Sequence, residues 1–259
     1  MLNFLESPFP PLPDTMSAET APRILLAGDK AIVVEFSDRI DDAVNASVVS
    51  LAGSYHTACP VGVTEVVPTY RSLLICYEPE MISAADIVKE LSTRLALPSA
   101  EISAGRLWDF PVVYGGVAGV DLPELAASKG MSETAVIALH SSVEYRVHMI
   151  GFAPGYAYLG GLQYPLHTPR RSAPRQKVEA GVIAIGGRQT SISSVSMPSG
   201  WQLIGRTPVS TFDLNRQMPF LLKAGDRVRF HSVTQEEADD IGQRLADGAV
   251  FETARLISR

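Results

Sequence analysis

Two hydrophobic periods alternate along the first hundred residues. Ala31-Ile-Val-Val-Glu-Phe36 has the dense β-branched character of a strand, whereas from Asp41 to Tyr55 the residues Val44, Val48, Leu51 and Tyr55 recur at helical spacing. Val63 to Val67 and Ser72 to Tyr77 read as two further strands joined by a short turn containing Pro68. Ser83 and Asp86 then supply a helix start, Ile87, Leu91 and Leu95 follow at core spacing, and Pro98 ends the helix. With Leu107 to Val113 as a last strand, the order becomes β-α-β-β-α-β, the split βαβ or ferredoxin-like arrangement.

Beyond Pro98 the pattern becomes more strand-like. Phe110 to Leu122 is a strand running into a Gly-rich turn, and Asp121–Lys129 and Ser132–Leu139 are short helices, the second with Ser132 as N-cap. Tyr145, Val147 and Met149 alternate with Arg146, His148 and Ile150, which is strand periodicity ending at Gly151. Ala224 to Phe230 is a turn into a strand. Thr234 and Glu237 form a capping box for a helix that turns Ala238, Ile241 and Leu245 inward, and Ala249 to Ile257 is expected to return as a final strand. The fold class is α+β. The expected divisions are a flexible tail over 1–22, a small α/β lobe over 23–103 and a mainly β lobe over 104–259.

Composition narrows the function classes. The chain of 259 residues has a net charge of −6, an ordinary soluble balance that argues against a general nucleic-acid binder. No apolar run reaches the ~18 residues of a membrane helix, so no membrane partner is expected. Residues 1–22 lack the basic start and apolar core of a secretory signal. Cys59 and Cys76 have neither a CxxC context nor paired histidines, which suits reduced thiols in a cytoplasmic protein and gives no metal site.

The stretch from His140 to Pro208 inverts the overall charge. Between Gly151 and Pro208 stand Arg170, Arg171, Arg175, Lys177, Arg188 and Arg206 against the single acid Glu179, among many glycines and prolines. Such a segment is turn-rich β structure with an affinity for anions. Arg170 and Arg175 each follow a proline that fixes the local backbone, and guanidinium forks bind carboxylate or phosphate in bidentate fashion. Gln189, beside Gly186-Gly187, adds a neutral donor and acceptor, and Arg206 stands in a Gly-Arg-Thr-Pro turn. His140, where a helix gives way to a strand, is placed for proton exchange or for hydrogen bonding to an amide. These five residues are expected to line one cleft, with Phe152, Tyr156, Tyr158 and Trp201 as the aromatic walls of a groove suited to a peptide or a small amide. Gly181 to Thr190 has glycines near phosphate-loop spacing but lacks the Gly-Lys-Ser/Thr ending and any following helix, so it is not a P-loop.

Gly151-Phe-Ala-Pro-Gly-Tyr-Ala-Tyr-Leu159, the repeated Pro169-Arg170 and Pro174-Arg175, and Gly200-Trp-Gln-Leu-Ile-Gly-Arg-Thr-Pro208 together resemble one family. It contains the B-type component of bacterial ATP-dependent 5-oxoprolinase, allophanate hydrolase subunit 1 and the sporulation-kinase inhibitor KipI. Tyr70-Arg71-Ser72 resembles a further family feature. The resemblance implies that the second lobe is a cyclophilin-like barrel. It also implies that the chain is one component of an ATP-dependent complex opening 5-oxo-L-proline to L-glutamate, inactive alone. Its partners would be a homologous C-type subunit and an A-type subunit, its substrate a small amide or lactam, and ATP would be used by the assembled complex. The alternatives are a KipI-like histidine-kinase inhibitor, or an accessory component of an allophanate hydrolase or urea carboxylase assembly. The chain departs from the family pattern at Val117, Val120, Glu179, Ser193-Ser194 and Ser199. Val117 stands where relatives carry a glutamate.

Overall fold

The structure is a computed structural model that describes residues 22–97 and 105–251, and the backbone of 255–256. Its internal contacts fall into two units that divide between residues 103 and 104.

The first unit runs β1 (Arg23–Leu26), β2 (Ala31–Glu35), α1 (Asp42–Thr57), β3 (Val63–Pro68), β4 (Ser72–Tyr77) and α2 (Ala84–Ala96). Its sheet is antiparallel in the order β1-β2-β4-β3. Both helices start at side-chain caps: Asp41 accepts from the Ala43 and Val44 amides, and Ser83 accepts from the Asp86 amide. Ile32, Val34, Leu73 and Ile75 from the strands and Val48, Leu51, Tyr55, Ile87 and Leu91 from the helices make one buried core. Helical spacing thus identifies the packing faces.

One strand assignment changes. Leu107 to Val113 does not complete this sheet, because Leu107, Trp108, Phe110 and Val112 are all buried in the second unit, the last three within its main core. The edge beside β2 is filled by β1, which folds back through a turn with Gly28 at φ +69. Four residues after a proline are too short a run for periodicity to single out.

The second unit contains β5 (Arg106–Tyr114), α3 (Leu122–Ser128), α4 (Glu133–Ser141), β6 (Tyr145–Ile150), β7 (Ala157–Gly160), β8 (Arg175–Val178), β9 (Val182–Gly186), β10 (Gln189–Ile192), β11 (Met197–Ser199), β12 (Gln202–Arg206), β13 (Arg227–Ser232), α5 (Gln235–Ala246) and β14 (Arg255–Leu256). The order β12-β9-β10-β7-β6-β13-β5 closes when β12 pairs with β5, giving a seven-stranded barrel. Closure needs Gly205, since a Cβ there would lie 2.7 Å from the Val113 carbonyl oxygen. β5 and β13 run parallel, and β14 adds to β5 outside the closed ring. The expected final strand is thus shorter than 249–257: Ala249 to Phe251 are not strand, and 252–254 and 257 lie outside the described residues. The mixed α/β class with a β-barrel lobe holds. No helix among the described residues is long and apolar enough to cross a membrane.

Candidate ligand site on the outer face of the barrel

Side chains alternate across a strand, so each barrel strand serves two environments. Inward residues Ala157, Leu159, Ile183, Ile185, Ile192 and Ile204 belong to the main core. Outward residues Val182, Ala184 and Leu203 form a separate small core with Val178 and Trp201, and Tyr158 packs against it. The β8–β11 ribbon supplies Val178 to this outer layer.

His140 faces inward. It lies in the last turn of α4 with no exposed surface, stacks on Phe230 at 4.9 Å between ring centroids, and has both ring nitrogens engaged. Nδ1 lies 2.8 Å from the Tyr114 hydroxyl and Nε2 3.0 Å from Thr190 Oγ1, whose own hydroxyl donates to the Ala184 carbonyl at 3.1 Å. The Tyr145 hydroxyl donates to the His140 carbonyl at 2.7 Å. Burial lowers the His140 pKa to about 3 and pushes the Tyr114 hydroxyl well above its ordinary value. This is a neutral imidazole that ties helix to barrel, with no water-facing atom through which to exchange protons.

Arg175 is also committed elsewhere. Its two terminal nitrogens hold Asp121 in a fork at 2.9 and 2.6 Å, Arg171 adds a contact at 3.1 Å, and the Leu203 amide donates to the same carboxylate at 2.7 Å. Asp121 is 3% exposed, so this is a buried clamp fastening the 169–175 segment to β12. Arg206 is exposed and donates to the Ala180 carbonyl at 3.0 Å, on the rim of a groove of about 690 Å3. Val117, Val120 and Glu179, three of the positions that depart from the family pattern, line that same groove. The expected single cleft of His140, Arg170, Arg175, Gln189 and Arg206 is therefore not formed: one lies inside the barrel, one is held in a clamp and one caps a backbone carbonyl.

The remaining residues do meet. Phe152, Tyr156, Tyr158 and Trp201 form a continuous edge-to-face row, with successive centroids 5.9, 4.6 and 5.9 Å apart. The Arg170 guanidinium lies 5.8 Å from the centroid of Trp201. Glycines make room for the rings: a Cβ on Gly186 would lie 2.4 Å from the Trp201 indole, and one on Gly160 would lie 2.0 Å from the His148 ring. Gln189 pairs with Gly186 across the β9–β10 turn, and the Thr190–Leu159 register sets it opposite Gly160, between these two ring-covered glycines. It is 5% exposed, and its Nε2 has no hydrogen-bond partner. A bridge between Thr168 and Gly187 holds the Arg170 segment against this turn.

Phe152 is the exposed end of the row. It is 69% exposed and takes φ +70, the sole positive φ of a non-glycine residue among those described. Such strain persists where the surroundings fix it, and it gathers at ligand-contact positions. Burial raises the Tyr156 and Tyr158 hydroxyl pKa values, with the Arg170 charge opposing it, so both phenols stay protonated donors at neutral pH. The set can hold a flat ring, donate hydrogen bonds and offer one cation. It contains no nucleophile–base pair, and no group of three or more metal-ligating side chains occurs among the described residues. Sequence reasoning missed Asp121, whose arginine partners are fifty or more positions away, and the pairing of His140 with Tyr114 and Thr190.

Comparison with known proteins agrees with this architecture. The family model for the carboxyltransferase domain, subdomain C and D, matches residues 22–222. The B-type 5-oxoprolinase subunit of Escherichia coli O157:H7 is 42% identical over 216 residues, which cover 83% of this chain and 97% of that protein. Its counterpart in Bacillus subtilis (strain 168) is 36% identical over 222 residues, covering 81% and 92%. The solved structure of TTHA0988 superposes with a TM-score of 0.73 at 36% identity over 79% of this chain, which spans 40% of that longer chain. The Kluyveromyces lactis urea amidolyase shares the fold, with a TM-score of 0.75 at 21% identity over 95% of this chain and 17% of its own. The chain therefore belongs to the family of carboxyltransferase C and D subdomains, in which B-type 5-oxoprolinase subunits are among its relatives.

Proposed function

We propose that this chain is the B-type component of an ATP-dependent, amide-hydrolysing complex of the 5-oxoprolinase kind. The observation that carries the reading is coverage: the similarity takes in 97% and 92% of two B-type 5-oxoprolinase subunits, so the likeness extends well beyond one shared module. The site chemistry supports it, because an aromatic platform with one cation and a primary amide suits a small carboxylated amide better than it suits bond-breaking. Opening an unstrained lactam needs coupling to ATP. Gly181 to Thr190 is β9, a turn and β10, with no helix N-terminus at the turn to cradle phosphates, so nucleotide chemistry is assigned to the C-type and A-type partners. On this reading the chain binds and positions substrate and is inactive alone.

Co-purification with C-type and A-type subunits, followed by an assay of glutamate release from 5-oxoproline with ATP, tests the proposal. Turnover is expected in the three-component mixture and in no mixture lacking one of them. No turnover in any combination would sink it.

A further inference from the structure

We propose that the groove beside β12 is the surface by which two copies of this chain pair about a two-fold axis, each inserting Val117 into the groove of the other.

The groove of about 690 Å3 lies wholly within the second unit. Its lining is mainly apolar, with Val113 from β5, Val178 from β8, Val182 from β9, Leu203 from β12 and Val209 beyond it. On its margin the turn between β5 and α3 carries Val120, which is 51% exposed, and Val117, which is 99% exposed. A valine left wholly in water is unremarkable on a loose loop, but this turn is fixed. The Gly115 amide donates to the Ile204 carbonyl at 3.0 Å, the Gly119 amide to the Gly115 carbonyl at 2.8 Å and the Asp121 amide to the Leu203 carbonyl at 3.0 Å. A Cβ on Gly119 would lie 2.1 Å from the Ile204 carbonyl oxygen, so the turn rests directly on β12. An apolar knob is thus held out in solvent beside an apolar hollow, and such preorganisation lowers the ordering cost of association.

Knob and hollow on one patch are what a two-fold contact requires, because the surface that inserts must meet a copy of itself that receives. A different partner would need only one of the two. Charge also fits a second copy. The chain carries −6, so copies repel one another overall, whereas the charged residues lining the groove are Lys177, Arg206, Glu179 and Asp239, which sum to zero. Lys177 and Glu179 pair at 2.9 Å with side chains 70% and 55% exposed, so exchanging that bond for one across the axis costs little. The extent is sufficient: twenty residues line the groove, and a standard interface uses ~20–30 on each side.

The test is the mass of the full chain, alone in solution, by sedimentation velocity and light scattering from ~1 to ~500 μM. Wild type is expected to pass reversibly from monomer to dimer with Kd ~100 μM or tighter. Val117→Glu should weaken the dimer at least ~100-fold, since two uncompensated carboxylates would enter apolar hollows. The position is fully exposed, so the fold is not at risk. Gly242→Arg, which sends a long side chain into the groove from α5 where a Cβ meets only Pro208 at 3.7 Å, should have the same effect. Tyr164→Glu, at an 84% exposed ring outside the groove, should leave Kd unchanged. A wild-type chain that stays monomeric throughout, a dimer that survives Val117→Glu, a dimer lost in Tyr164→Glu, or masses that grow past two chains would overturn the proposal. Two further outcomes would overturn it by naming another occupant. Pairing that appears only after deletion of residues 1–21 would give the groove to the start of the chain itself. A monomeric wild type whose Val117→Glu variant fails to hold a C-type subunit would give it to that subunit. Because the chain is measured alone, the dimer stands or falls independently of turnover by the complex.

Discussion

Asp121→Ala should destabilise the protein by about 3 kcal/mol, the lower end of what breaking a buried ion pair costs. The carboxylate is 3% exposed and accepts two bonds from Arg175, one from Arg171 and one from the Leu203 amide, so its loss strands a backbone donor and two guanidinium groups together. The arginine side chains are 28% exposed and can turn toward water, which holds the cost at that lower end. Asp121→Asn keeps the shape and the Leu203 bond while losing the charge, so it should cost about half as much. Urea unfolding at constant m-value measures both. A loss below about 1 kcal/mol for Asp121→Ala would show that the clamp adds little.

A second large effect is expected at His140. Removing the imidazole opens a cavity beside Phe230 and leaves the Tyr114 and Thr190 hydroxyls short of a partner, so His140→Ala should cost about 3–5 kcal/mol at neutral pH. The wild-type residue also carries a pH dependence of known sign. Its folded pKa is lowered to about 3 by burial, from an ordinary 6.5, so between those values the unfolded chain binds the extra proton. Stability from this group is complete above pH 6.5 and is lost as pH falls toward 3. Unfolding free energies of wild type and His140→Ala, compared at about pH 7.5, 5.5 and 4.5, should therefore converge as the pH is lowered. A constant difference across that range would contradict a neutral, buried His140.

How much of this is legible in the chain depends on the range of the interactions. Helix caps are local, and Ser83, Ser132 and the Thr234–Glu237 box stand where their spacing puts them. The outer aromatic row is also legible, because Tyr156 and Tyr158 lie two positions apart in one motif and Trp201 opens another. Periodicity cannot tell that Arg106 to Tyr114 joins the barrel, since a strand buried on both faces carries no alternation to show which core it enters. Tyr145, Val147 and Met149 share one apolar face by spacing, yet a bulge between Val147 and Met149 breaks the alternation and buries His148 over Gly160. The roles of His140 and Arg175 are hidden for a further reason. Both residue types suit catalysis and anion binding, and only the distant partners Thr190 and Asp121 show that here they hold the fold.

On the proposed function, this chain contributes its outer aromatic face, and Arg170 in particular, to the work of an amide-hydrolysing complex. The direct measurement is 5-oxoproline turnover, with ATP, by complexes reconstituted on wild-type and Arg170→Ala chains of matched assembly, across substrate concentration. The wild-type complex should turn over, and the substitution should reduce kcat/KM about 10- to 100-fold, mainly through KM, as expected for loss of a charged ground-state contact. Equal kcat/KM in two fully assembled complexes would contradict that role for Arg170.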